Sequence, residues 1–520
     1  MDGMTISLKA VIDEASKRIL FVEAGHDFVD ILFSFLTVPT GKIVGLFHSQ
    51  PPTMGSIGCM DNLYKSVENL DLNHFRSDTC KSMLLQPLNG AVRHCNRLKL
   101  KLDNGAGLTH YYCRSWACTS KVHREAASDS EGVFVKGLQR FVVSDELEVV
   151  PASSDASFDF LSKLHVVDCS AITERTFNIG LTEITNIMRF SMSSKTVLSR
   201  ILLENKTMAE SSGVNYFYTS SPIKPKQENH ESKGDGNISV RLVVSKSKQM
   251  VCYAEAGEDF VNLLFSFLTV PLGYVLKEMG SSGGNGSQSQ GCLSYLCNSV
   301  KELDADVMKS DELKDVLLNP KIPVGFAYEN QLLGLKEVKL FYNMKSEATD
   351  LTIRDPKSSN EPGIKGVGFL KVAAMFTVTE DLKITPISPV TSLLMLNKLK
   401  VPLSDVGKLT VQIGREETGQ KANTNEPGIK GVGFLKVAAM FTVTEDLKIT
   451  PISPVTSLLM LNKLKVPLSD VGKLTVQIGR EEASRLLVAA FLSEHALTDV
   501  FMSEILKDPL MYKQPKKETE

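Results

Sequence analysis

The sequence predicts an α+β protein: two diverged repeats of a β-hairpin–buried helix–mixed α/β unit, with an extra exact 58-residue duplication in the second. Three observations predict it. Residues 23–41 (EAGHDFVDILFSFLTVPTG) return as residues 255–273 (EAGEDFVNLLFSFLTVPLG), identical at 15 of 19 positions. Each stretch follows two alternating runs around a polar turn, 6–11 and 18–23 in the first copy, 238–243 and 249–255 in the second. Alternation at period two reads as a hairpin. Finally, the 58 residues 360–417 recur without substitution as 425–482, at an offset of 65.

The repeated stretch reads as a core helix. Phe28, Val29, Ile31, Leu32, Phe33, Phe35 and Leu36 leave almost no polar face, and a helix apolar all round is buried. The run falls well short of the ~20 residues that span a bilayer. Asp27 and Asp259 stand where N-caps belong, and Asp30 or Asn262 three residues later makes a weak capping box. Pro39 stops the helix and Gly41 supplies a turn.

Further along, Gly58-Cys59 with the helical run 63–70 is answered by Gly291-Cys292 with 296–303. Leu84-Leu85-Gln86-Pro87 is answered by Leu317-Leu318-Asn319-Pro320, both helix ends stopped by proline. Strands are expected at 98–102 and 110–113, with partners near 338–342. Residues 140–147 and 375–382 each read as a strand and an acidic turn before a second strand. Helices at 158–164, 183–190 and 196–203 and a strand at 176–180 close the first unit. Helices at 483–492 and 497–506 close the second.

The expected domains are 1–205 and 237–520, joined by a flexible Ser/Lys/Pro/Glu-rich linker at 206–236, with a second Gly/Ser-rich mobile loop at 280–290. The two versions of the duplicated segment compete for one place beside the first half of the second copy. The version at 425–482 carries the closing helices, so it is the one expected to dock there.

Composition excludes some functions. Net charge is −2 and 42% of residues are apolar, an ordinary core with no electrostatic case for nucleic acid or anionic membrane. No basic stretch followed by an apolar one opens the chain, and nine cysteines suit reduced thiols in the cytosol or nucleus. Residues 280–290 lack the Gly-Lys-Ser/Thr ending of a phosphate loop, Gly363, Gly366 and Gly368 precede a strand where a dinucleotide loop would follow one, and no cysteine pairs with a histidine in a way that nominates a nucleophile.

Two chemistries remain. Cys113 and Cys118 form a C-x4-C pair, with His123 and Cys95 near in sequence, and such ligands hold tetrahedral zinc. His94 and His110 are other choices for the fourth ligand, and free thiols are the simpler reading. Glu23 with Asp27 and Glu255 with Asp259 recur as paired carboxylates, which can serve as acid and base. Capping explains Asp27 and Asp259 with less assumption, and His26, replaced by Glu258, reads as an exposed first-turn position.

These motifs, with Leu8-Lys9, Leu63-Tyr64, Ser66-Val67, Cys80 and Phe134-Val135-Lys136 leading to Phe141 and Asp145, resemble the plant family called domain of unknown function 674. The resemblance spans nearly the whole chain in two copies and implies no particular reaction. It also implies further cysteine pairs in the region after Cys118, where 119–136 holds none. The expected function is therefore a non-enzymatic binding or scaffold protein with a protein partner. The alternative is an enzyme whose site assembles from distant carboxylates or cysteines.

Overall fold

In the computed structural model, strands β1 (Ile6–Asp13) and β2 (Arg18–Gly25) form the predicted hairpin. Period-two alternation puts Ile6, Leu8, Ala10 and Ile12 into the core. Asp13 closes the turn, accepting from the Ala15 amide and the Ser16 hydroxyl. The structure describes residues 4–48, 57–102, 132–137, 139–164, 171–192, 194–203, 238–281, 292–328, 331–338, 370–379, 384–386, 436–444, 449–451, 461, 463–467 and 470–507. The expected linker at 206–236 and the expected strand at 110–113 lie outside them, as does 280–290 beyond its first two residues.

Helices α1 (His26–Ser34), α2 (Thr40–His48), α3 (Met60–Asn69), α4 (Asp78–Leu85) and α5 (Val92–Cys95) follow the hairpin. Then come β3 (Arg140–Ser144), β4 (Val149–Pro151), α6 (Ser154–Lys163), β5 (Ile172–Ile179), α7 (Leu181–Ser191) and α8 (Val197–Leu202). The strands make one antiparallel sheet in the order β4-β3-β2-β1-β5.

The second copy repeats this with β6 (Ile238–Ser245), β7 (Met250–Ala256), α9 (Glu258–Ser266), α10 (Leu272–Ser281), α11 (Leu293–Glu302) and α12 (Asp311–Leu318). Strands β8 (Leu370–Thr379) and β9 (Ile384–Pro386) come from the first version of the duplicated segment. Strands β10 (Lys436–Thr444), β11 (Ile449–Pro451) and β12 (Val471–Ile478) come from the second. Helices α13 (Arg480–Leu492) and α14 (Ala496–Lys507) end the described chain.

The later version takes the place beside the hairpin. Phe441 of β10 faces Ala256 of β7, as Phe141 faces Ala24 in the first copy. The earlier version joins the same sheet, with β8 parallel to β10, giving the order β11-β9-β8-β10-β7-β6-β12. Both hairpins carry a bulge at the same place, between Val11 and Ile12 and between Val243 and Val244.

The two copies interlock. Helix α11 of the second lies on β4 of the first, and the Val149 amide donates to Ser299 Oγ at 2.8 Å. Helix α3 of the first lies on β9 and β11 of the second, and the Ile449 amide donates to Ser66 Oγ at 2.9 Å. Between them, Pro39 and Pro271 form an antiparallel bridge: Thr40 donates to the Val270 carbonyl at 2.9 Å and Leu272 to the Val38 carbonyl at 3.0 Å. One apolar core runs through both copies, from Leu8 and Phe33 to Phe265 and Phe491.

Two expected elements are corrected by the structure. Gly41 makes no turn; it lies in α2, where a Cβ would stand 2.8 Å from the Leu268 carbonyl oxygen of the other copy. The helix has already passed into a 3-10 turn at Phe35–Thr37. Residues 98–102 are not a strand. Leu98 and Leu100 are buried, so the alternation is real, but among the described residues no strand pairs with it, and 339–342 of the expected partner lie outside them. Among the described residues, no helix is long and apolar enough to cross a membrane.

Candidate functional site

The repeated carboxylates gather around the first turns of α1 and α9. Neither Asp27 nor Asp259 is an N-cap. Gly25 and Gly257 are, with extended backbones and no side-chain cap. The strand runs straight into the helix through these extended caps, so each aspartate falls inside the first turn. There a carboxylate still meets the positive end of the helix dipole. Asp27 pairs with Lys99 Nζ at 3.3 Å and His26 Nε2 at 3.4 Å. Glu23 and Glu255 stay on the strands. Glu23 faces Lys9 across the ladder, and Glu255 accepts from Arg241 Nη1 at 3.1 Å.

Asp30 does not complete a capping box either. It points inward, buried, and accepts the amides of Val133, Phe134 and Val135 at 2.6, 2.7 and 2.9 Å. Burial pushes its carboxyl up, and those three amides oppose the shift. The loop it holds meets the other copy: Lys136 donates to the Val307 carbonyl and Lys309 to the Phe134 carbonyl, both at 2.9 Å. Asp145 is used in the same way, accepting the Ser199 amide at 2.8 Å and its hydroxyl at 2.7 Å.

Position 258 is the exception. The Glu258 carboxyl is pushed up to about 8, first by burial, then by the Asp259 charge, with Arg76 opposing. Its Oε2 atom is buried with no hydrogen-bond partner among the described residues. Arg76 arrives from the other copy. Its neighbour Phe75 stacks on Phe265 at 6.3 Å and His74 sets its edge against Phe441 at 5.5 Å. Sequence reasoning missed both Glu258 and Arg76. The available signal was the His26-to-Glu258 exchange inside a stretch that otherwise barely changes.

The zinc candidates are not brought together in the described structure. Cys113, Cys118 and His123 lie outside the described residues. Cys95 sits buried in α5, its Sγ 3.6 Å from Thr37 Oγ1 and 3.6 Å from Asn89 Nδ2. Of the alternatives, His94 packs at 6.2 Å from Phe134, and burial lowers its pKa and favours the neutral ring; His110 is outside the described residues. Among the described residues, no three His, Cys, Asp or Glu side chains gather as a metal would need.

The repeated Gly-Cys motif has a different role. Cys59 donates its amide to the Ala490 carbonyl at 2.7 Å and its thiol to the Ser493 carbonyl at 2.9 Å. Cys292 donates likewise to Ser191 at 2.8 Å and Ser194 at 2.9 Å. Each cysteine thus seats its helix on the closing helix of the other copy. Burial, with Asp145 and Glu146 nearby, pushes the Cys292 thiol up, away from nucleophilic use.

The profile of the family described as protein of unknown function (DUF674) matches residues 3–125, 120–416 and 418–520. No curated protein and no solved structure matches the chain. The second match ends just short of the second version of the duplicated segment, and the third takes in that version with α13 and α14. With matches that together run almost end to end in repeated segments, the chain belongs to the DUF674 family.

Proposed function

We propose that the protein is a non-enzymatic binding scaffold, one body presenting related surfaces of two copies to a protein partner. The observation that carries this reading is how the reactive side chains are employed. Asp30 and Asp145 accept backbone amides, and Cys59 and Cys292 donate to carbonyls, so their polar atoms hold segments together. Thiols in that role support a reducing compartment, the cytosol or nucleus, as for a plant intracellular protein.

A second reading has one observation of its own. Glu258, raised to about 8 beside Asp259 and Arg76, is the kind of carboxyl that acid–base catalysis uses. Two measurements on the purified full-length protein separate the readings. Reciprocal co-purification should return one protein partner at fixed stoichiometry, and a cell metabolite extract incubated with the protein should not change. Protein-dependent conversion of a metabolite, lost in Glu258→Gln, would replace the scaffold with an enzyme.

A further inference from the structure

We infer that each copy is a binding partner for the other in its own right, so that the chain is a tethered dimer held by exchange rather than by its tether. The contacts come in pairs that interchange the copies. Val149 to Ser299 answers Ile449 to Ser66. Cys59 on the carbonyls of Ala490 and Ser493 answers Cys292 on those of Ser191 and Ser194. At the Pro39–Pro271 bridge the relation closes on itself, because Thr40 and Leu272 are the same position in the two copies. Residue i touching j while j touches i is the mark of an interface between two like partners.

The close approach is built into the repeated stretch. A Cβ on Gly41 would meet the Leu268 carbonyl oxygen at 2.8 Å, and one on Gly273 would meet the Leu36 carbonyl oxygen at 2.9 Å. Leu36 and Leu268 are themselves equivalent positions, so the same glycine presses on the same leucine in both directions. The loops behave alike. Phe75 packs on Phe265 of α9, while Met308, its counterpart, is buried and bridges to Val135 beside Asp30. Each copy therefore completes the core of the other, and the partner surface is specific for another unit of this kind.

The test uses the full chain with a protease recognition sequence placed within residues 212–230. After cutting, checked for completeness on a denaturing gel, the fragments are followed by native mass spectrometry and gel filtration at micromolar concentration. They should travel together at the mass of the uncut chain and part only in denaturant. Separation in native buffer, or precipitation of either fragment, would overturn the inference. In the same cut protein, Ser66→Ala with Ser299→Ala should raise the dissociation constant about tenfold or more. An unchanged constant would show that the exchanged helices do not hold the halves, which also overturns it.

Discussion

Helices α1 and α9 start at the same place in two copies of one fold, yet their first turns are charged differently. In α1, His26 and Lys99 flank Asp27. In α9, Glu258 lies beside the Asp259 charge and feels Arg76 from across the interface, and its carboxyl keeps its proton to about 8. The backbone is the same and the extended cap is glycine in both. Fold geometry is thus set by the residues that repeat, while electrostatic character is set by the few that do not. The partner of the unmatched residue lies on the other copy, so the two turns can diverge only together with the loops that face them.

The largest expected effect lies where the copies are most alike. Alanine in place of an exposed helical glycine would ordinarily stabilise by about 1 kcal/mol. At Gly41 the sign should reverse, because the new Cβ lies 2.8 Å from one carbonyl oxygen and 2.9 Å from another. Gly41→Ala should destabilise by about 2–3 kcal/mol in urea unfolding. Gly273→Ala should do slightly less, its second contact being looser at 3.2 Å. A stabilised Gly41→Ala would mean that the copies do not approach as described.

Asp30 sharpens the comparison at a position that differs. Asp30→Asn turns an acceptor into a donor facing an amide 2.6–2.9 Å away, and should cost about 1–3 kcal/mol. Since Asn262 already occupies the matching place in α9, the cost should vanish if the two loops were held alike. Equal urea midpoints for the native protein and Asp30→Asn would say so.

Glu258 has the smallest effect and the clearest pH signature. Below its ordinary range, near 4.5, the carboxyl is neutral in both folded and unfolded chains. As pH rises towards about 8, the unfolded chain ionises while the folded one stays protonated, so stability falls across that window and then levels. The loss is on the order of 1–2 kcal/mol after allowing for partial exposure. Glu258→Gln should remove this slope in thermal melts taken from pH 5 to about 9; a slope that survives assigns it to another group.

Much of the framework was legible in the sequence. Alternation at 6–11 and 18–23 marks strands, and the apolar run after Asp27 marks a buried helix, because one-face and all-face burial leave different periods. The exchange of helices was not legible. An apolar face such as that of α3 reads the same whichever copy's sheet it covers, and the pairing of Ser66 with Ile449 leaves no local trace. The acidic residue at 27 looked like a cap because glycine at 25 carries no side chain to compete for that role. Leu98 and Leu100 alternate in burial as a strand would, but among the described residues no strand pairs with them, and alternation alone does not make a ladder. At the candidate site, both the carboxyl and the arginine were visible as letters. What joins them is a loop from the other copy, which one-dimensional spacing does not record.

Hydrogen exchange read at single residues by fragmentation mass spectrometry tests the interlock most directly. Removing the Ser299 hydroxyl with Ser299→Ala should expose the Val149 amide, 150 positions away in the first copy, and Ser66→Ala should expose the Ile449 amide in the second. Loss of protection that crosses between copies in both directions is the predicted result. Loss confined to the copy carrying the substitution would contradict the reciprocal arrangement on which the account rests.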